Sequence, residues 1–282
     1  MPTPQFTDKF VRIGSLRFHY LDWGNPHLPD MLLLHGGAQT AHSWDEFSRA
    51  MRDRYHILAP DQRGHGDTDW SKTATYSEAA QSRDIVHLVE KLRLKKKFVL
   101  VGLSMGGSHS YIYAARHPDR VHRLVVVDVG PEVMRVGADK IKRFASQQDI
   151  LPSFEAFIDR AHKFNPRRPL EQLRERLRWS LRELPDGRWS WKYDYRRWRK
   201  QIAPGYERRG VDRWANIKRI TAPTLLVRGM ESDILSPEIA RKAQSVMKDC
   251  ALVEIPNAGH TVPGDNPEAF AKAVRAWLSS RG

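Results

Sequence analysis

The chain has 282 residues, of which 40% are hydrophobic and nine are Trp. This is enough apolar material for one large folded domain and excludes intrinsic disorder. A single cysteine, Cys250, excludes an intramolecular disulfide and a cysteine-based metal cluster. The first residues lack the apolar core of a signal peptide, and no stretch approaches the length of a membrane span, so we expect a cytoplasmic protein.

The chain is strongly basic, with a formal charge of +14 and a pI near 10.0. Such a charge is typical of proteins that meet nucleic acid, anionic membranes or acidic substrates, but general arginine usage produces it too. Residues 131–221 hold 23 Lys and Arg against 12 Asp and Glu, so about +11 of the total lies there. No nucleic-acid-binding motif accompanies these residues, and we expect no nucleic-acid partner. The sequence contains no feature that assigns an oligomeric state.

Eight short apolar runs end at Gly, Pro or Asp and predict strands. In chain order they are "KFVRIG", "LRFHYLDWG", "MLLLHGG", "YHILAPD", "KFVLVG", "LVVVDVG", "TLLVRG" and "ALVEIP". Segments with helical spacing alternate with them; in one, Ile85, Leu88 and Val89 share a face and Ser77 is the expected N-cap. The alternation predicts an α/β fold with a mostly parallel eight-stranded sheet and helices on both faces.

One interval breaks this alternation. Residues 131–221 are polar, basic and helix-prone, and we interpret them as a helical cap inserted between two core segments, 1–130 and 222–282. Within the interval, aromatic residues alternate at 189, 191, 193 and 195, which predicts an extended piece with one aromatic face. These rings are expected to pack the cap onto the core; the alternative is that Trp189 and Trp191 line a substrate pocket.

The hexapeptide "GLSMGG" at 102–107 contains the candidate nucleophile, Ser104. It follows the run "KFVLVG" directly and precedes a helical segment that stops before Pro118. A strand, a tight turn and a helix are the context that a nucleophile elbow requires. Gly102 and Gly106 are expected because side chains there would collide with neighbouring backbone.

The ordered motifs together resemble the α/β-hydrolase fold superfamily over nearly the whole chain. "LLLHGG" resembles the oxyanion loop, "PDQRGHGDTD" the turn after the next strand, "RGMESDILSPE" the acid-bearing turn and "IPNAGHTVPGDNPEAF" the histidine loop. The resemblance implies a scaffold role for "PDQRGHGDTD", although its Asp and His residues also suggest a metal site. The chemistry implied uses no cofactor, and we expect no bound metal.

The resemblance also implies a catalytic triad in the chain order Ser, Asp, His. Ser104 is the expected nucleophile and His260, in the histidine loop, the expected base. Asp233 is the expected acid that orients the imidazole. Two alternatives for the acid remain open: Asp128, at the end of an earlier strand, and Glu231, two residues before Asp233.

The remaining site residues follow from the same loops. The backbone N–H groups of Gly37 and Met105 are expected to hold the oxyanion. His35, His65 and His109 lie near the predicted mouth of the site; His35 is interpreted as a residue that shapes its loop, and is also a candidate pocket residue.

These residues predict a serine hydrolase that cleaves a carboxylic ester through an acyl-enzyme intermediate. A serine nucleophile argues against the dehalogenases and epoxide hydrolases that the superfamily also contains. A lactonase, a carbon–carbon bond hydrolase and a ligand-binding sensor on the same scaffold are alternatives. The partner is expected to be a small-molecule ester, and the basic charge raises the hypothesis that this ester is anionic, with the cap steering it toward the site.

Overall fold

A computed structural model describes residues 6–147, 149–196 and 212–280. All eight predicted strands are present and form one sheet, and three further short strands form a second sheet. The strands are β1 (Thr7–Ile13), β2 (Leu16–Asp22), β3 (Asp30–Leu34), β4 (His56–Pro60), β5 (Phe98–Leu103), β6 (Val121–Val127), β7 (Ile150–Leu151), β8 (Leu181–Glu183), β9 (Trp189–Trp191), β10 (Thr224–Gly229) and β11 (Cys250–Ile255). The helices are α1 (Asp45–Met51), α2 (Glu78–Lys91), α3 (Met105–Arg116), α4 (Arg135–Ala145), α5 (Phe154–Phe164), α6 (Leu170–Ser180), α7 (Arg213–Lys218), α8 (Pro237–Val246), α9 (Val262–Asp265) and α10 (Pro267–Ser279), with a 3₁₀ turn at Ala41–Trp44.

The large sheet has the order β1-β2-β4-β3-β5-β6-β10-β11. Its first two strand pairs, β1 with β2 and β2 with β4, are antiparallel, and all later pairs are parallel. The central strands β3 and β5 are buried along their whole length, as a sheet covered on both faces requires. The predicted fold class is therefore confirmed.

Two apolar clusters fill the two faces of this sheet. One contains Phe47 of α1 and Phe270 of α10, and the other contains Ile85 of α2 and Tyr111 of α3. The predicted cap of α2 is present, because the hydroxyl of Ser77 accepts the N–H of Ala80 at 3.3 Å. The layers hold β5 and β6 rigidly, so the residues that follow these strands have fixed positions.

The start of β4 carries a small charge network. His56 Nδ1 lies 2.8 Å from Asp30 Oδ1, and its Nε2 lies 3.3 Å from Asp22 Oδ1. The hydrogen bond to Asp22, followed by that to Asp30, raises the pKa of His56 to about 9. The imidazole is thus charged at neutral pH and joins β4 to the strands on either side of it.

The inserted segment, residues 131–221, contains α4, α5, α6 and α7, and the small antiparallel sheet of order β7-β9-β8. Phe157, Leu173 and Leu177 of its helices form an apolar cluster with Trp191 and Tyr193, whose rings stack with centroids 5.5 Å apart. The aromatic residues therefore pack mainly within the segment, against α5 and α6, and not chiefly against the core as expected. The domain boundaries stay a prediction.

The segment is tied to the core by polar contacts. Asp194 is 1% exposed; its carboxylate accepts the Tyr76 hydroxyl at 2.5 Å, and its N–H donates to the carbonyl of Gly64 at 2.8 Å. Within the three described ranges, no helix is long and apolar enough to cross a membrane.

Candidate active site

The turn between β5 and α3 holds Ser104 in a strained conformation, with φ +53° and ψ −112°. A non-glycine residue with positive φ in such a turn is uncommon and marks functional sites. A Cβ atom on Gly106 would collide with the carbonyl of Leu34, and one on Gly102 would collide with the carbonyl of Gly106. The two glycines therefore allow the close strand and helix approach on which the turn depends.

Ser104, His260 and Asp128 form a continuous hydrogen-bonded chain. Ser104 Oγ lies 2.9 Å from His260 Nε2, and His260 Nδ1 lies 2.8 Å from Asp128 Oδ2. Since a carboxylate only accepts, Nδ1 carries the proton that points to Asp128. Nε2 is then free to accept the proton of the serine hydroxyl, which is the requirement for a general base.

The expected position of Asp233 beside His260 is wrong. The Asp233 side chain is 39% exposed, and its carboxylate lies 3.6 Å from Lys140 Nζ. Glu231 pairs with Arg167 at 2.7 Å and is not the acid partner either. Asp128, the open alternative, lies directly after β6, is 0% exposed and turns toward the histidine loop with φ +50°.

Two further residues hold the Asp128 carboxylate in place. Its Oδ1 accepts the N–H of Gly229 at 2.9 Å, and its Oδ2 accepts the hydroxyl of Ser232 at 2.5 Å. Ser232 Oγ in turn accepts the N–H groups of Ile234 and Leu235, each at 3.1 Å. The turn after β10 thus contributes Ser232, and not its neighbour Asp233, to the site. Ser232 was not among the expected site residues, because nothing in the sequence distinguishes it beyond its place in "RGMESDILSPE".

A cavity of about 1080 Å³ opens above Ser104 and His260. Gly37 and Met105, the predicted oxyanion residues, both line it. Met105 is the first residue of α3, where a backbone N–H has no partner within the helix. The structure thus brings the predicted nucleophile, base and oxyanion residues to one cavity.

The other histidines near the site have different surroundings. His35 is fully buried and does not line the cavity; its Nδ1 donates to the carbonyl of Gly36 at 2.7 Å and its Nε2 accepts the N–H of Gln62 at 2.9 Å. These bonds fix the oxyanion loop to the next turn, in agreement with a loop-shaping role. His109 lines the cavity and donates from Nδ1 to Gln62 Oε1 at 2.7 Å, whereas the buried His65 does not line it.

The inserted segment forms much of the cavity wall. Of the two tryptophans proposed for a pocket, Trp191 lines the cavity, but Trp189 packs against Phe154 outside it. The basic residues of the wall are Arg135, Lys142, Arg168, Arg176 and Arg213. Arg213 pairs with Glu78 at 3.0 Å. The wall therefore combines apolar side chains with these five basic residues and the two carboxylates of Glu78 and Asp139.

The turn "PDQRGHGDTD" is organised around Asp61. Its carboxylate accepts the N–H groups of Ala41 and Asp67 at 2.7 and 2.9 Å and lies 2.7 Å from His19 Nδ1. His19, Asp61 and Asp67 have ligand atoms within 4.8 Å of one another. These donors engage both oxygens of Asp61 and connect its turn to β2, which carries His19, and to the 3₁₀ turn that begins at Ala41, as a scaffold does.

Comparison with known proteins agrees with this architecture. A profile of the alpha/beta hydrolase family matches residues 31–273. An esterase from Mycobacterium tuberculosis is 31% identical over 280 residues, covering 96% of this chain and 89% of the relative. A 3-hydroxybutyrate-oligomer hydrolase from Cupriavidus necator is 28% identical, covering 95% and 94%. The crystal structure of an E-2-(acetamidomethylene)succinate hydrolase superposes with a TM-score of 0.84 at 25% identity, covering 97% of this chain and 99% of that one. These relatives are hydrolases, and this chain belongs to the alpha/beta hydrolase family.

Proposed function

We propose that this protein is a serine hydrolase that cleaves a carboxylic ester, with Ser104 as nucleophile, His260 as base and Asp128 as the orienting acid. The observation that carries the proposal is the chain of hydrogen bonds from Ser104 Oγ through His260 to Asp128, at 2.9 and 2.8 Å. The relatives support an ester substrate, because they include an esterase and a hydrolase of hydroxybutyrate oligomers.

In the proposed mechanism, His260 Nε2 takes the proton of Ser104 as its oxygen attacks the ester carbonyl. Asp128 holds the imidazole in the required tautomer and stabilises the imidazolium that forms. The N–H groups of Gly37 and Met105 hold the negative oxygen of the tetrahedral intermediate. His260 then protonates the leaving alcohol, and a water molecule activated by the same histidine hydrolyses the acyl-enzyme.

Labelling by a fluorophosphonate tests the nucleophile. We expect stoichiometric labelling of the wild-type protein and none of a Ser104→Ala variant. A Ser108→Ala variant is the matched control, because Ser108 also lines the cavity one turn along α3. Equal labelling of the wild-type and Ser104→Ala proteins would exclude Ser104 as the nucleophile.

Turnover of a panel of 4-nitrophenyl esters, lactones and diketones tests the reaction. Esters are expected to be hydrolysed, and Ser104→Ala should lower kcat by up to about a million-fold, since triad members act as a unit. Ester turnover that persists in Ser104→Ala would refute the mechanism. Turnover of diketones or lactones without ester turnover would move the activity to another reaction of the same triad.

A further inference from the structure

Two arginines of the inserted segment lie side by side in the wall of the cavity. Arg176 is on α6, and Arg168 lies just before this helix. Both guanidinium groups lie against Gly264. A Cβ atom on this glycine would contact Arg168 Nη2 and would lie 3.1 Å from Arg176 Nη1, so the two groups are neighbours. Like charges so close together repel, and the pair persists only where other groups compensate for them.

The two arginines are not equally compensated. Arg168, which is 7% exposed, lies 3.3 Å from the buried carboxylate of Asp265. That carboxylate also accepts Asn165 Nδ2 at 2.9 Å, the Thr261 hydroxyl at 2.8 Å and the Gly259 N–H at 3.1 Å. Oδ1 receives three of these four donors and Oδ2 receives only the Gly259 N–H, and within the described residues Asp265 makes no hydrogen bond to Arg176.

Arg176 has, among the described residues, only a neutral hydrogen-bond partner, the hydroxyl of Ser43 at 3.1 Å. Burial, and then repulsion by Arg168, lower the pKa of Arg176 to about 9, and Asp265 and Asp45 offset this only in part. Asp45 Oδ2 lies 2.9 Å from His42 Nδ1; its buried Oδ1 has no hydrogen-bond partner among the described residues, and Asp45 makes no hydrogen bond to Arg176. The guanidinium still carries its charge at neutral pH. Arg176 lines the cavity, and no carboxylate of the described residues accepts a hydrogen bond from it.

The Nε of Arg168 is a second unused donor. It is buried and has no hydrogen-bond partner in the described part of the chain, although a native structure leaves few such groups unsatisfied. Arg168 also donates to the hydroxyl of Thr261 at 3.3 Å, and Thr261 directly follows His260 in the chain. Ser43, the partner of Arg176, lies shortly after the oxyanion loop. The two guanidinium groups therefore adjoin the loops that carry the catalytic groups.

We propose that Arg168 and Arg176 form a carboxylate-binding subsite, so that the ester cleaved at Ser104 carries a free carboxylate in the same molecule. A carboxylate supplies a negative charge together with acceptor oxygens, and no described side chain places such a group in hydrogen-bond contact with Arg176. Its two oxygens match the planar fork of a guanidinium. The inference rests on the proposed esterase function and assigns its substrate class.

Matched ester pairs test the subsite. The 4-nitrophenyl monoesters of succinate, glutarate and adipate are compared with neutral 4-nitrophenyl esters of equal acyl length. For at least one length, we expect the wild-type kcat/KM to be about ten to a hundred times higher for the carboxylate ester, the range of a hydrogen bond to a charged group. In Arg176→Gln this ratio should fall to near one, and Arg176→Lys should retain part of it, because an ammonium keeps the charge but not the fork.

Arg178→Gln is the matched control. It removes the same charge from the same helix, but Arg178 is exposed and does not line the cavity. This variant should keep the wild-type ratio. The subsite is refuted if both Gln variants lower the ratio equally and the wild-type ratio falls to one in 0.5 M NaCl. The preference would then come from the overall electric field of the protein, because salt screens exposed charges.

Inhibition of the wild-type protein keeps the test independent of how the variants fold. Glutarate should inhibit hydrolysis of the neutral ester competitively and at least tenfold more strongly than glutaramide; equal inhibition would overturn the subsite. A wild-type ratio near one at all three acyl lengths would also overturn the subsite. If the neutral esters are still hydrolysed in that case, the esterase proposal is unaffected. No turnover of any ester, together with no labelling of Ser104, would instead refute the esterase proposal itself.

Discussion

Replacing Asp128 by Asn should almost abolish activity without removing the side chain from its place. In the wild-type protein, Asp128 Oδ1 accepts the Gly229 N–H, and Oδ2 accepts both His260 and Ser232. An Asn must present its NH₂ group at one of these two positions. If the NH₂ group took the Oδ1 position, it would face the N–H of Gly229, and two donors would oppose each other. In this fully buried site that arrangement would cost about 1–3 kcal/mol of stability.

The amide therefore turns its NH₂ group toward His260. The histidine then accepts at Nδ1 and carries its proton on Nε2, which faces Ser104 Oγ at 2.9 Å. An Nε2–H group cannot take the serine proton. The same change of tautomer in a Ser-His-Asp triad lowers kcat by about 10⁴, which corresponds to about 5 kcal/mol of transition-state stabilisation.

The assay is kcat and KM for a 4-nitrophenyl ester, with the melting temperature as the check on folding. Asp233→Asn is the control. This side chain is 39% exposed and, among the described residues, forms an ion pair with Lys140 alone, at 3.6 Å, so the substitution should change kcat less than about twofold. A larger loss of kcat in Asp233→Asn than in Asp128→Asn would refute the assignment of the acid.

Three further predictions concern positioning and stability. Ser232→Ala should lower kcat about tenfold, because the Asp128 carboxylate loses a donor, and steady-state kinetics measure this change. It should also destabilise the protein by about 2 kcal/mol in a thermal melt, because two buried N–H groups lose their acceptor. Gly106→Ala should prevent soluble expression or lower the melting temperature sharply, because the new Cβ would collide with the carbonyl of Leu34, which is backbone. His56 has a folded-state pKa of about 9, above its unfolded value near 6.5, so its stabilisation is complete below pH 6.5 and is lost as the pH rises to 9. Urea unfolding should show this as a wild-type loss of at most about 2 kcal/mol between pH 6 and 9.5 that His56→Gln lacks; the same loss in both proteins would contradict it.

The strands and the strained turn that holds Ser104 could be predicted from sequence, because they depend on local pattern. An apolar run such as residues 98–103 is buried on both faces only in a central strand, and this is where β5 lies. The glycines around Ser104 are required by the local approach of strand and helix, so the hexapeptide itself carries the information. His260 follows the last strand, and its loop leaves few other positions for a base.

The acid could not be chosen from sequence alone. Asp128 and Asp233 follow β6 and β10, which are neighbouring parallel strands, so both begin at the same edge of the sheet. The choice depends on how each chain leaves its strand. Asp128 turns at once with φ +50°, whereas the longer turn after β10 brings Ser232 inward and leaves Asp233 beside Lys140. No spacing or composition encodes that difference.

The same limit applies to charge, because a count along the chain ignores pairing between segments. In the described part of residues 131–221, five cations pair with acids outside the segment, which lowers the field that a charge of +11 implies. These pairs are Lys140–Asp233, Arg167–Glu231, Arg168–Asp265, Lys192–Asp67 and Arg213–Glu78. Four of these pairs, all except the buried Arg168–Asp265, are at least partly exposed, and such pairs leave little net field beyond about 8 Å in physiological salt. Arg176 differs because it is enclosed, lies beside another guanidinium and has no carboxylate on it among the described residues. A preference for an anionic ester would therefore come from direct contact between the substrate carboxylate and Arg176. Such a preference would persist at a salt concentration that removes long-range electrostatic steering.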